Sequence, residues 1–274
     1  MQVPTIPGAI AHPESHEPIR FLARLGYAVK GVVYGVMGVL ALRVGLGDGG
    51  RLAGEHEAVR EVHRHPFGDV ALVVIGAGLA CYAIWRFIEA AFDPYRVGRS
   101  LRGVAARVAA LASAIANGAV ALMALELAAD ESESRTSPKS LAVSVLREDW
   151  GPALLAAVGA GIAGVGIFHV VAAFTDRFCE HLDLRGRSRR LRRYVFWSGR
   201  LGFLARGILF AIIGVAALRA GLRLDPSEVK DFREALRTLL EQPFGPALLV
   251  GAAVGLLAYG LHLVATAPIR KLAS

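Results

Sequence analysis

Two cations stand inside apolar runs of this 274-residue chain, where charge is costly. Lys30 lies in GYAVKGVVYGVMGVLALRVGL (26–46) and Arg206 in GFLARGILFAIIGVAALRAGL (202–222), each followed by a glycine. A cation at the centre of a bilayer costs about 2.5–3.5 kcal/mol on insertion scales. Such a residue either lines a route for anions or snorkels to lipid phosphates from near a span end. Both roles stay open for Lys30 and Arg206, with Arg107 as the candidate third counterpart. Asn117 and His169 are the other polar groups placed to line a path. A histidine within a span relays protons, ligates haem or closes a packing hydrogen bond, and for His169 and His262 the packing role is favoured. Arg86 and Glu89, three residues apart, share a helical face and read as a local ion pair. Arg43 and Arg219, at the far ends of the same runs as Lys30 and Arg206, read as lipid anchors.

Two polar clusters lie outside the apolar runs. GEHEAVREVHRH holds His56, His63 and His65 among Glu55, Glu57 and Glu61. Imidazoles and carboxylates of this kind can hold a divalent metal, against the simpler reading of a solvated link. RGRSRRLRR packs six arginines into nine residues ahead of Tyr194, Phe196 and Trp197. In a soluble protein this would be a nucleic-acid patch. Beside a membrane span it reads as a clamp for anionic lipid headgroups through Arg187, Arg189, Arg190, Arg192 and Arg193, with the aromatic rings at headgroup depth. The pI of about 10.0 follows from this arginine bias and does not imply a nucleic-acid partner.

The elements that must position these groups follow from hydropathy. Hydrophobic residues make up 54% of the chain and mean hydropathy is +0.48, above the roughly 45–50% apolar share of soluble domains. Charge is confined to blocks between long apolar runs, which points to lipid as the solvent. Six runs reach the length needed to span a bilayer: about 26–46, 68–91, 104–128, 151–175, 202–222 and 245–267. Counting the span ends that adjoin them, 19 of the 31 lysines and arginines belong to the two tails and the links after spans 2 and 4, and the other three links, counted likewise, hold 16 of the 23 acidic residues. The bias predicts that both termini lie in the cytoplasm. Residues 1–20 lack the basic start and apolar core of a cleavable signal, which predicts a loose tail followed by an uncleaved signal anchor. Cys81 and Cys179 read as free thiols.

The chain repeats itself. The stretches 26–46 and 202–222 agree at nine of 21 positions without a gap, among them Gly31/Gly207, Gly38/Gly214 and Arg43/Arg219. Each even-numbered span opens on an aromatic–Gly pair: Phe67-Gly68, Trp150-Gly151 and Phe244-Gly245. Three hairpins entering from one side can be related by rotation about the bilayer normal. The predicted fold is therefore an all-α polytopic membrane protein: six transmembrane helices as three repeated hairpins, pseudo-threefold in arrangement, with short amphipathic link helices on the outer side. The units run over 1–19 (flexible tail), 20–95 (first hairpin), 96–178 (second), 179–195 (basic cytoplasmic linker) and 196–274 (third), and the register within the second is not fixed by its sequence.

The pattern ARLGYAVKGVVYGVMGVLAL … HPFG … GLACYAIWRFIEA, returning as GRLGFLARGILFAIIGVAAL … QPFG … GLLAYGLHLVATA, resembles the bacterial membrane family catalogued as domain of unknown function 1206. The resemblance covers nearly everything beyond residue 20 and implies a transmembrane hairpin occurring three times in a bacterial plasma membrane. It implies no activity, cofactor or site residue.

The sequence contains no phosphate-cradling loop, no supported Ser/His/Asp constellation and no CxxC, so neither an enzyme nor a bound cofactor is expected. Two classes remain. The scarcity of polar residues in the spans favours a structural, accessory or lipid-interacting bundle, with membrane lipids, a partner membrane protein or a second copy as partners. The alternative is a small transporter or channel along the pseudo-threefold axis. An axis filled by Leu, Val and Phe would exclude the second.

Overall fold

The computed structural model describes residues 17–93, 98, 100–129, 138–175, 177–179, 182–184 and 186–270. Of the flexible tail expected over 1–19, residues 1–16 lie outside the described residues. The helices are α1 (Glu17–Gly45), α2 (Glu55–His63), α3 (Gly68–Phe92), α4 (Leu101–Ala128), α5 (Pro138–Leu146), α6 (Gly151–Thr175), α7 (Arg189–Arg223), α8 (Phe232–Leu240) and α9 (Gly245–Thr266). Six of them (α1, α3, α4, α6, α7 and α9) are long and apolar enough to cross a membrane. The chain is thus a multi-pass membrane protein built of three hairpins, each carrying a short link helix between its two spans. The stretch 179–195, expected as a linker, is helical from Arg189 onward, because the Ser188 hydroxyl caps α7 by accepting from the Leu191 amide at 3.3 Å.

The aromatic–Gly pair has a geometric cause. In each repeat the glycine amide donates to the carbonyl three residues earlier: Gly68 to His65 at 2.8 Å, Gly151 to Glu148 at 2.9 Å and Gly245 to Gln242 at 2.8 Å. This tight turn lays the last turn of the link helix on the start of the next span. A Cβ on Gly68, Gly151 or Gly245 would come within 2.4, 1.7 and 1.8 Å of a carbonyl oxygen of that link helix, so only glycine fits. Phe67 and Phe244, with φ of 65° and 61°, take the left-handed conformation that completes the turn.

Glycines also set the pairing of the spans. Gly31, Gly38 and Gly45 recur every seven residues and meet α9, while their counterparts Gly207, Gly214 and Gly221 meet α6. Small residues on one stripe let backbones approach closely, which is how helices associate where lipid removes the hydrophobic drive. A Cβ on Gly38 would lie 2.7 Å from Leu257, and one on Gly214 2.2 Å from the Ala163 amide. Between the first and second repeats Gly76 of α3 faces Ala121 and Leu125 of α4. Ala121 thus occupies the place of Gly38, 83 residues on, the same interval that separates Gly151 from Gly68.

That packing fixes the register of the middle repeat. Ser113, not Arg107, is the counterpart of Lys30 and Arg206, and Asn117 the counterpart of Tyr34. Arg107 instead closes the end of the preceding span, where its guanidinium donates to the carbonyls of Ala90 (2.7 Å) and Ala91 (3.1 Å) on α3.

All three joints between repeats (α3 with α4, α6 with α7, α9 with α1) are formed, together with α1–α3 and α7–α9 within the outer repeats. Among the described residues no extended interface joins α4 to α6. The six spans therefore follow the threefold order as an arc, open at the middle repeat. The link helices go deeper than surface helices would. Ala58, Val59, Ala235 and Leu236 are buried, and Phe232, the first residue of α8, stacks edge-on against Tyr34 and Phe210 inside the spans.

Candidate functional site

The inward ends of α2 and α8 meet a polar cluster in the middle of the bundle. Lys30 is 3% exposed, too enclosed to snorkel. It sits 15 residues before the end of α1, about 22 Å along the helix. Its ammonium donates to Asn117 Oδ1 on α4, lies 3.7 Å from Glu55 at the start of α2, and stands 4.7 and 5.7 Å from the Tyr82 and Tyr34 ring centroids. Asn117 is oriented from below, its amide donating to the Ser113 carbonyl at 2.6 Å.

Arg206 faces this group from α7. It donates through Nη1 to the Tyr259 hydroxyl at 2.8 Å and lies over the rings of Phe210 (4.5 Å), Tyr259 (5.1 Å) and Tyr34 (5.6 Å). The faces of aromatic rings offset part of the cost of an enclosed cation. Arg206 Nε is buried and finds no hydrogen-bond partner among the described residues. Tyr34 lies between Lys30 and Arg206 and hydrogen-bonds Glu55, so the two cations share one ring and one carboxylate.

Burial pushes the Glu55 carboxyl up, yet Lys30, then Arg206 and the Tyr34 hydrogen bond, hold it below the usual carboxylate range. Glu55 is therefore ionised at neutral pH. It is one negative charge between two positive ones.

His169, the fourth residue expected on a path, packs against Phe203 and Phe210 with centroids 5.3 and 5.7 Å away. It joins the cluster through Phe210, which Arg206 also covers. His262 is placed differently: its Nδ1 is 3.1 Å from the Val195 carbonyl and 3.3 Å from the Ser198 hydroxyl, a bond between α9 and α7 that holds the packing. Arg86 pairs with Glu89, which also accepts from Trp85 Nε1 at 2.6 Å, the expected local ion pair with one more partner.

On the link-helix side an open crevice of about 730 Å³ lies between α2, α8 and the end of α1. Arg43, Arg51, Arg60, Arg64, Arg233 and Arg237 line it, against the carboxylates of Glu57, Glu61 and Glu234. Arg64 pairs with Glu61 at 3.0 Å and Arg233 with Glu57 at 3.7 Å, whereas Arg43 and Arg51 have no ion-pair partner among the described residues. Ala53 lines this crevice, and Glu55, two residues on, faces Lys30.

The metal reading of His56, His63 and His65 is not met. Among the described residues no group of three or more His, Cys, Asp or Glu converges. His56 and His63 are two helical turns apart on α2, about 10 Å, whereas imidazoles that share an ion sit about 2 Å from it. His63 lies instead 3.0 Å from Asp69, and Glu55 turns inward to Lys30. Sequence reasoning places Glu55 in the wrong cluster and passes over Tyr34, Tyr82 and Tyr259, which read as ordinary apolar-run aromatics. Their one signal is positional: Tyr82 and Tyr259 stand at the same distance after Gly68 and Gly245.

Arg187, Arg189, Arg190, Arg192 and Arg193 are all exposed at the opposite end, and the Cys81 thiol on α3 is free.

The sequence pattern of the family described as Domain of Unknown Function (DUF1206) matches three times, over residues 25–93, 108–176 and 201–270, one match per hairpin. The chain is 30% identical over 246 residues to the "Uncharacterized protein YxxB" of Bacillus subtilis (strain 168), covering 90% of this chain and 89% of that one. No solved structure matches.

Proposed function

The chain belongs to the DUF1206 family, and we propose that it binds a small anion between its repeats and admits it from the link-helix side. The link helices then face the exterior of a bacterial plasma membrane and both termini the cytoplasm, as the distribution of lysine and arginine favours. The reading belongs to the transporter or channel class. Scarce polar residues argue for an inert bundle only while they are scattered, and here Lys30, Asn117, Glu55 and Arg206 converge.

One observation carries the proposal: Arg206 Nε is a buried, unpartnered donor next to a cation pair that a single carboxylate leaves one charge in excess. A buried unpaired donor costs about 1–3 kcal/mol, more when charged, and an incoming anion removes that cost. The arginine crevice supports the same reading, since it concentrates anions beside Ala53, two residues before Glu55.

The test is electrical. Purified protein in phosphatidylethanolamine–phosphatidylglycerol proteoliposomes on a solid-supported membrane is challenged with concentration jumps of chloride, nitrate, phosphate and succinate. At least one anion should drive a current that Arg206→Gln abolishes. Silence toward all four, or a current unchanged in the variant, contradicts the proposal.

A further inference from the structure

The opposite end of the bundle carries a second arginine-rich surface, independent of the anion reading. Helix α7 opens with Arg189, Arg190, Arg192 and Arg193. The start of a helix carries about half a positive charge, so four guanidiniums there repel both it and each other. Such a start is stable beside an anion.

The four arginines are not equivalent. Arg190 and Arg193 line an open groove of about 500 Å³ between α7 and α9, and Arg189 and Arg192 do not. The spacing explains this: 190, 193, 194, 197 and 201 recur at three- and four-residue steps, one face of a helix. Along that face the chemistry changes with depth. Arg190 and Arg193 come first, then Tyr194 and Trp197, then Ser198 and Leu201, and Leu201 makes an apolar floor with Ala258 and Leu261 of α9. Leu201 is 11 residues beyond Arg190, about 16 Å further along the helix. A charged rim, an aromatic belt and an apolar floor in that order match a phospholipid from phosphate to acyl chain.

We propose that this groove seats one anionic phospholipid, its phosphate between Arg190 and Arg193 and one acyl chain along Leu201 and Leu261. The chemistry is that of a lipid monoanion with a chain attached; a free phosphate would leave the apolar floor bare. The arginine run is thus divided into a site-forming pair and a pair that contributes only general surface charge.

Full-length protein is equilibrated in detergent with equal phosphatidylglycerol and phosphatidylethanolamine, and the retained lipid is counted by native mass spectrometry. Wild type should keep one phosphatidylglycerol. The pair R190Q/R193Q should lose it at least fivefold, while R189Q/R192Q, equal in charge change, should keep it. Leu261→Trp, which fills the floor and leaves every arginine in place, should also lose it, and this variant decides the matter if the double glutamine variant does not fold. Millimolar sn-glycerol 3-phosphate should not displace the lipid. Equal loss in both double variants would mean diffuse surface charge, displacement by glycerol phosphate would mean a soluble-phosphate site, and retention by R190Q/R193Q or Leu261→Trp would mean no such groove site. Each of these overturns the proposal.

Discussion

Lys30 donates a hydrogen bond to the side-chain oxygen of Asn117, tying the first repeat to the second across 87 residues of sequence. The bond satisfies a buried ammonium and links α1 to α4, the two spans that flank α3. Asn117→Leu removes the acceptor and should lower stability by about 1–3 kcal/mol, read as a fall in Tm in detergent. Asn117→Asp keeps the acceptor and adds the negative charge that the cluster lacks. It should hold Tm near wild type and yet abolish the anion current, a separation that a purely structural asparagine would not give.

Glu55 is the cluster's own anion, so an entering anion competes with it for Lys30 and Arg206. Glu55→Gln should strengthen anion binding several-fold in a concentration-dependent thermal shift. It should also change the response to acid. The folded pKa of Glu55 lies below its unfolded value of about 4.3, so its stabilising contribution is complete above that value and is lost as pH falls through the folded one. Between pH 5 and 8 the wild-type and Glu55→Gln Tm profiles should therefore run parallel, and below about pH 4 only the wild type should lose this increment.

The turn that opens each even-numbered span leaves no room for a Cβ. Gly245→Ala drives a methyl to within 1.8 Å of the Leu240 carbonyl, and Gly214→Ala one to within 2.2 Å of the Ala163 amide. Each should cost about 1–3 kcal/mol by overpacking. Gly161→Ala, where nothing lies within 4 Å, should leave Tm unchanged. Thermal unfolding of the three variants side by side checks this.

Much of the architecture is legible in the sequence because its cause is local. Long apolar runs specify spans, and the aromatic–Gly pair specifies the turn that feeds each one. Lys30 and Arg206 declare themselves because charge is conspicuous in such runs. The partners of those cations are not legible. Glu55 lies in a polar link, among histidines that suggest a different chemistry, and only the descent of α2 into the bundle brings it to Lys30. The register of α4 is hidden for a related reason: a helix that is apolar all round has no stripe to show which side faces α3, and Gly76 against Ala121 decides it. Likewise the arginine run does not show which of its members face a groove until the opposing wall of α9 is known.

The orientation has its own check. In a Cys81→Ala, Cys179→Ala background, Asp48→Cys in the loop after α1 should react with a membrane-impermeant maleimide on intact spheroplasts. Arg187→Cys, ahead of α7, should react only after permeabilisation. The reverse pattern would turn the molecule over and put the arginine crevice in the cytoplasm.

The central claim is that an anion binds beside Arg206 between the repeats. Anomalous scattering locates it most directly, in crystals of the full chain soaked separately with bromide and with selenate, as a monovalent and a tetrahedral probe. A peak within about 4 Å of Arg206 Nε in at least one soak, absent from Arg206→Gln crystals, is the predicted result. Peaks confined to exposed guanidiniums such as Arg43 and Arg51, with none beside Arg206 in either soak, would contradict it.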